Sequence, residues 1–182
     1  KVLLDMYDET MKDWKSFGHQ LVGSVEQEPE VSEAMRDKYP EWREFCRSSV
    51  IEYVKTATLQ TLTADPDKMK EFMADQVFAK LSTMWFVNQK PGEYNPIHVH
   101  TGCKVSAIGY LRTPKNQIAP RKKHFATDGM VSFTNNSGND FNWTNPTMHL
   151  KPEEGDFYIF GAMQQHMVWP YRSTKKDDLR IS

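Results

Sequence analysis

The stretch "NPIHVHTGCKVSAIGYL", Asn95 to Leu111, sets two of the chain's six histidines, His98 and His100, two positions apart and directly ahead of an apolar run. Residues two apart on an extended strand project from one face. Both imidazoles therefore aim at one point if this segment is a strand. Two imidazoles on one face make a natural clamp for a divalent transition metal. The chain after this stretch keeps a β texture. "KVSAIGYLRT", "GMVSFTN", "TMHLKP", "GDFYIF", "HMVWPY" and "LRIS" are short β-like runs separated by Gly, Pro, Asn and Asp. Regular short strands with turn signals point to a sandwich or barrel.

Working backwards, "KPGEYNP" (Lys90–Pro96) reads as a turn. Before it, "VFAKLSTMWFVNQ" (Val77–Gln89) alternates, with Ala79, Leu81, Trp85 and Val87 on one side. Upstream of residue 77 the texture is helical. In "LLDMYDETMKDWKSF", Leu3, Tyr7, Met11, Trp14 and Phe17 recur at three- to four-residue steps, as on an amphipathic helix. "HQLVGSV" after Gly18 suits a short strand. "PEWREFCRSSVIEYVKTATLQTL" opens on Pro40 and carries Trp42, Phe45, Cys46, Val50, Tyr53, Val54 and Ala57 on one face, the clearest helix in the chain. "DPDKMKEFMADQ" (Asp65–Gln76) begins with an Asp-Pro signal and predicts a further short helix. We expect a single domain over 1–182, a mainly helical lead-in (1–76) followed by a jelly-roll core (77–182). The fold class is α+β, mainly β, with the N-terminal helices packed on one side of the jelly roll.

Composition narrows the function classes. Lys+Arg number 23 and Asp+Glu 24, for a net charge of -1, so nothing in the balance asks for nucleic acid or an anionic membrane. The basic run "RKKH" (Arg121–His124) reads as a solvated loop. Two cysteines, Cys46 and Cys103, lie far apart in no ligand-like spacing, which fits a reducing, cytoplasmic setting. No apolar run reaches the roughly 18 residues of a membrane span, and no signal-peptide pattern is present. A lysine start and the truncated look of "LRIS" suggest a chain trimmed at both ends.

The histidine pair gains meaning from a third histidine further along the chain. In "EEGDFYIFGAMQQHMVWPY", His166 enters an apolar run with Val168 and Trp169. In an antiparallel jelly roll so late a strand can lie beside an earlier one, and His166 can complete a three-nitrogen face with His98 and His100. Such a face leaves positions open for oxygen activation or Lewis-acid work. Fourteen residues on, Arg180 and Ser182 again share one strand face. An inward arginine is costly unless it meets an anion, and its planar fork suits a carboxylate.

The order His-x-His, His, Arg-x-Ser resembles the iron(II)/2-oxoglutarate-dependent oxygenase superfamily over about Trp85 to Ser182. More narrowly it is similar to the prolyl-hydroxylase-like branch that includes members encoded by marine bacteriophages. The matching motifs are "WFVN", "PGEYNPIHVH", "SAIGYL", "GDFYIF" with His166, Val168 and Pro170 behind it, and "RIS". The resemblance implies a double-stranded β-helix and Fe(II) bound by His98 and His166, with His100 at the middle ligand position. It also implies the far carboxylate of 2-oxoglutarate on Arg180, with Ser182 and Tyr110 helping. The activity implied is hydroxylation of an amino-acid or peptidyl substrate such as proline, in the cytoplasm (the host's, for a phage-encoded protein). Two positions depart from the pattern. Relatives carry Asp or Glu where His100 stands, and often proline where Gly161 stands.

Two other readings remain open. A cupin-type dioxygenase uses three histidines on iron without a 2-oxoacid, and Gly92 and Gly155 stand at cupin-like distances from His98 and His166. The cupin glutamate is missing, since Lys104 and Val105 lie there, and a cupin has no standing need for Arg180. A non-enzymatic jelly-roll binding module is the third reading. His19, His124 and His149 have no partner pattern. Cys103 reads as a small buried residue, Met163, Gln164 and Gln165 as a turn, and Trp143 and Trp169 as core or rim.

Overall fold

The computed structural model describes residues 1–62, 67, 77–119, 127–134 and 147–182. The sequence-predicted helix in Asp65–Gln76, the run Arg121–His124 and Trp143 lie outside the described residues, apart from Asp67, which is helical. Among the described residues the helices α1 (Val2–Thr10), α2 (Glu33–Asp37) and α3 (Pro40–Leu62) precede the strands β1 (Asn88–Gln89), β2 (Asn95–His98), β3 (Val105–Gly109), β4 (Val131–Thr134), β5 (Thr147–Leu150), β6 (Phe157–Gly161), β7 (Gln165–Val168) and β8 (Arg180–Ile181).

The strands form antiparallel ladders. One four-stranded sheet has the order β2-β7-β4-β5. Opposite it, β3 pairs with β6 and β1 with β8, and a bridge between Arg112 and Ile181 ties those two pairs together. The two layers bury a common core of Val131, Phe133 and Phe160, joined by Ile108, Leu150, Tyr158 and Val168. Phe133 and Phe160 meet edge to face, 5.0 Å between centroids. Burial of each such side chain is worth about 1.5–3 kcal/mol.

The helices cover the outer face of the second layer. Trp42 and Phe45 of α3 stack on each other and both meet Phe157 of β6 edge-on, at 5.8 and 5.2 Å. Met6 of α1 packs with Val31 and Phe86, and Leu3, Tyr7, Met35 and Leu111 surround them. Ser32 caps α2 by accepting the Met35 N–H at 3.2 Å. The mixture of helices and antiparallel sheets is the expected α+β class, and α3 has the bounds that its apolar face suggests.

Three readings need correction. Helix α1 stops at Thr10, and Phe17 leaves it altogether. Lys15 and Ser16 run beside residues 28–30, through Glu30 N–H to Lys15 O, a Ser16–Pro29 bridge and Phe17 N–H to Glu28 O, and Phe17 then opens the following 3-10 turn. The three- to four-residue spacing there was a coincidence overridden by sheet pairing. Second, the expected strand after Gly18 is a 3-10 turn at Gly18–Gln20, and only Ser24 joins a ladder, opposite Tyr94. Third, in Val77–Gln89 burial alternates over 77–82 as expected, but the bridges begin only at Trp85. Bridges pair Glu30 with Trp85 and Gln27 with Asn88. Phe86 is the residue that joins the helix-covered core, so Trp85, Val87 and Gln89 face the other way, toward the opposing sheet. Among the described residues no helix is long and apolar enough to cross a membrane.

Candidate active site

The ladder brings the histidines together. His98 ends β2 opposite His166 of β7, and His166 also stands opposite Phe133 of β4. Antiparallel partners share a face, so His98 and His166 both enter the space where Phe133 packs. His100 follows two residues after His98, its backbone N–H bound to Ala162 O at 2.9 Å. Ring centroids are 4.2 Å apart for His98 and His166, 5.2 Å for His98 and His100, and 5.0 Å for His100 and His166. One nitrogen from each lies within 4.8 Å of the others, and no carboxylate belongs to this group among the described residues.

The outward nitrogens are fixed by local backbone. His98 Nδ1 lies 2.7 Å from Pro96 O, and His166 Nδ1 lies 2.9 Å from Gln164 O. A carbonyl can only accept, so each Nδ1 carries the proton and each Nε2 presents a lone pair. In both cases the acceptor is two residues upstream. Burial, and then the neighbouring His98, push His100 down to about 4. Burial also pushes His166 down to about 4, against the opposing hydrogen bond from Gln164. Both rings are neutral at pH 7.

The nitrogens fit a metal ion. His100 Nε2 and His166 Nε2 are 3.1 Å apart. Two ligands at about 2.1 Å from one ion, at a right angle, stand about 3.0 Å apart. An all-imidazole set suits iron and other late first-row metals. Phe133 and Phe160 flank His166 at 5.9 and 4.7 Å, and Trp85 stands 5.9 Å from His100, so aromatic rings wall the cluster.

Arg180 lies deeper in the same space. It is 1% exposed. Nε and Nη2 donate to Gln89 Oε1, Nη1 donates to Gly129 O at 2.6 Å, and Nη2 reaches Trp169 O at 3.4 Å. These contacts span both sheets. Trp169 is three residues past His166, about 10 Å along the strand. A guanidinium has five N–H donors, so among the described residues one on Nη1 has no acceptor and the Trp169 contact is long. Among the described residues no carboxylate neutralises Arg180. Burial lowers its pKa, and the charge persists because guanidinium is so strong a base.

Tyr110 lies within electrostatic reach of this charge. Its hydroxyl is buried without a hydrogen-bond partner, and burial pushes its pKa up to about 12 despite the nearby Arg180. It is a proton donor lacking an acceptor, next to a cation lacking an anion. Ser182 is held by its backbone, N–H to Val87 O at 3.2 Å and O to Val87 N–H at 2.7 Å. Among the described residues no hydrogen bond joins its hydroxyl to Arg180. At the end of the sheets away from the histidines a cavity of about 540 Å³ includes Arg180, Gly129, Thr113 and Lys151 in its lining.

The structure adds residues that the sequence reading passed over. Gln89 orients Arg180, and its own Nε2 donates to Glu93 O, which turns Oε1 toward the guanidinium. No local pattern marks it. Phe17 stacks on Trp85 at 4.9 Å beside the cluster. His149 does have a partner, since its Nδ1 lies 2.6 Å from Ser132 Oγ, which also accepts from Trp169 Nε1 at 2.7 Å. Cys103 Sγ lies 3.5 Å from Ser106 Oγ.

The family model described as 2OG-Fe(II) oxygenase matches residues 83–182, more than half of the chain, and the chain belongs to that oxygenase family. The family implies Fe(II) and 2-oxoglutarate as the metal and cosubstrate. No curated protein matches the chain.

Proposed function

We propose that this protein is a non-haem iron(II), 2-oxoglutarate-dependent dioxygenase that hydroxylates an amino-acid or peptidyl substrate, proline among the candidates. The observation that carries the reading is the pairing of two shortages in one inter-sheet space. Three imidazoles bring one nitrogen each to within 4.8 Å of the others, and about 10 Å along the β7 direction a buried guanidinium and an unpartnered tyrosine hydroxyl lack an anion. The four C–C bonds of a five-carbon dicarboxylate extend over about 5 Å, which leaves room for a contact at each end. The strand order β2-β7-β4-β5 against the linked pairs β1-β8 and β3-β6 supports a double-stranded β-helix.

In this reading His98, His100 and His166 hold the iron, His100 taking the place where relatives have a carboxylate. Arg180 receives the far carboxylate of 2-oxoglutarate through its free Nη1 donor, and Tyr110 donates to the same group, with Ser182 beside them. Bound iron supplies the oxidation, in which dioxygen and 2-oxoglutarate yield succinate and carbon dioxide while a substrate C–H becomes C–OH. The protein orients the reactants and keeps water out with Phe133, Phe160 and Trp85. The setting is cytoplasmic, the partners are a small molecule or peptide and neither nucleic acid nor membrane, and the 182 residues act as one domain.

Anaerobic addition of Fe(II) and 2-oxoglutarate tests this directly. The expected result is a metal-to-ligand charge-transfer band that neither component gives alone. A cupin-type enzyme, the second reading favoured by the all-histidine set, would show no such band and would instead consume dioxygen with a thiol.

A further inference from the structure

Glu28 is a buried acid with no evident structural use. It is 2% exposed, its Oε1 has no hydrogen-bond partner, and among the described residues no cation pairs with it. Its placement follows from the ladder. Asn88 N–H binds Gln27 O, and Phe86 N–H binds Pro29 O, so Glu28 lies opposite Val87. On its other side Phe17 N–H binds Glu28 O. Glu28 and Val87 therefore share one sheet face, the face that carries Trp85, on which Phe17 stacks. Phe86, facing the other way, is the one buried beneath the helices.

Aromatic rings lead from this face toward the histidines. Phe17 stacks on Trp85, and Trp85 stands 5.9 Å from His100. From Glu28 to the cluster is on the order of 10 Å, two residues of strand plus the Trp85–His100 gap. A Cβ placed on Gly18 would stand 3.0 Å from Glu28 Oε2, so a side chain there would crowd the oxygen. An unpaired buried carboxylate is costly unless a cation arrives, and aromatic faces favour organic cations.

We propose that Glu28 anchors an ammonium or guanidinium group of the substrate, a basic side chain carried several bonds from the carbon that is oxidised. Phe17 and Trp85 line the path between that anchor and the histidines. The inference rests on the oxygenase reading for the identity of the ligand as substrate, but not for the cation preference itself. Burial and the nearby Glu93 also raise the Glu28 carboxyl pKa to about 7, the direction that a bound cation would reverse.

The test uses the full chain with Fe(II) and 2-oxoglutarate under anaerobic conditions. Calorimetry compares N-acetyl-lysine amide with its uncharged analogue N-acetyl-norleucine amide. Wild type should bind the lysine probe at least about tenfold more tightly. Glu28→Gln, isosteric and neutral, should erase that preference, Glu28→Asp should retain part of it, and Gly18→Ala should weaken it. The charge-transfer band, recorded on the same samples, should survive in Glu28→Gln. Wild type that binds neither probe, or both equally, overturns the proposal, as does a preference that persists in Glu28→Gln. Loss of the band in wild type instead strikes the oxygenase reading, with the cation preference still measured independently.

Discussion

Arg180 and Glu28 are two buried charges of opposite sign on the same sheet face, and the chain treats them differently. Arg180 has acceptors from three separate segments, Gln89, Gly129 and Trp169. Glu28 has an oxygen with none. Yet neither meets an opposite charge among the described residues. Hydrogen bonding and charge neutralisation are separate requirements, and Arg180 satisfies most of the first without the second. A guanidinium held rigidly by neutral acceptors is prepared for a ligand anion at little ordering cost. A carboxylate left short of donors is a weaker construction, tolerable because it can keep its proton.

The largest expected effect falls at the histidine cluster. His166→Ala takes away the most buried nitrogen of the cluster, so bound iron, measured by metal analysis after desalting, should fall to background. Retention of stoichiometric iron would mean that the two remaining imidazoles suffice. Next comes Arg180→Met, which keeps the length of the side chain and deletes the charge. Loss of a buried charged partner costs about 2–5 kcal/mol, so the 2-oxoglutarate concentration needed to saturate the band should rise roughly 1000-fold while iron still binds. An unchanged requirement would detach Arg180 from the cosubstrate.

Glu28 gives a smaller, pH-dependent effect on stability. Unfolded, its carboxyl ionises near 4.5; folded, burial and Glu93 hold it to about 7. Between those values the folded protein keeps a proton that the unfolded chain has released, so stability falls as pH rises. The cost is absent below about pH 4.5 and complete above about 7. At about 1.4 kcal/mol per pH unit it amounts to about 3–4 kcal/mol. Urea unfolding of Glu28→Gln should match wild type near pH 4.5 and exceed it by that amount at about pH 8. A constant difference across the range would mean that Glu28 does not change charge on unfolding.

The same contrast explains what the sequence could convey. His98 and His100 were legible because a strand repeats every two residues, and His166 because turn signals flank its strand. Helix α3 was legible from its apolar face and Pro40. Glu28 was not. The segment around it, "SVEQEPEV", alternates glutamates with small or polar residues and contains Pro29, so neither alternation nor β propensity marks it as a strand. It is extended because residues some sixty positions later supply its partners. Gln89 was illegible for a similar reason, since its role depends on Arg180, ninety-one positions away. Phe17 shows the opposite failure. Its spacing from Trp14 and Met11 mimics a helix, and only the Phe17 N–H bond to Glu28 O and the Ser16–Pro29 bridge reveal the sheet contact.

The smallest expected effect converts one charge environment into the other. Gln89→Glu sets a carboxylate against Arg180 in place of a neutral amide oxygen. The oxygen facing Nε and Nη2 remains an acceptor, so the guanidinium keeps its orientation. The donor to Glu93 O is lost, a cost of about 1 kcal/mol in stability. What changes most is charge. Arg180 becomes half of an internal ion pair, and an incoming carboxylate gains less from it while meeting the repulsion of the introduced carboxylate. At an effective dielectric near 20 such a pair is worth a few kcal/mol, largely offset by desolvation, so the affinity for 2-oxoglutarate should drop about tenfold with iron affinity unchanged. Titration of the charge-transfer band at fixed iron measures the first quantity, and metal analysis after desalting the second. If the affinity stays at the wild-type level, the free Nη1 donor and the Tyr110 hydroxyl hold the carboxylate by hydrogen bonding, and the uncompensated charge of Arg180 is incidental to binding.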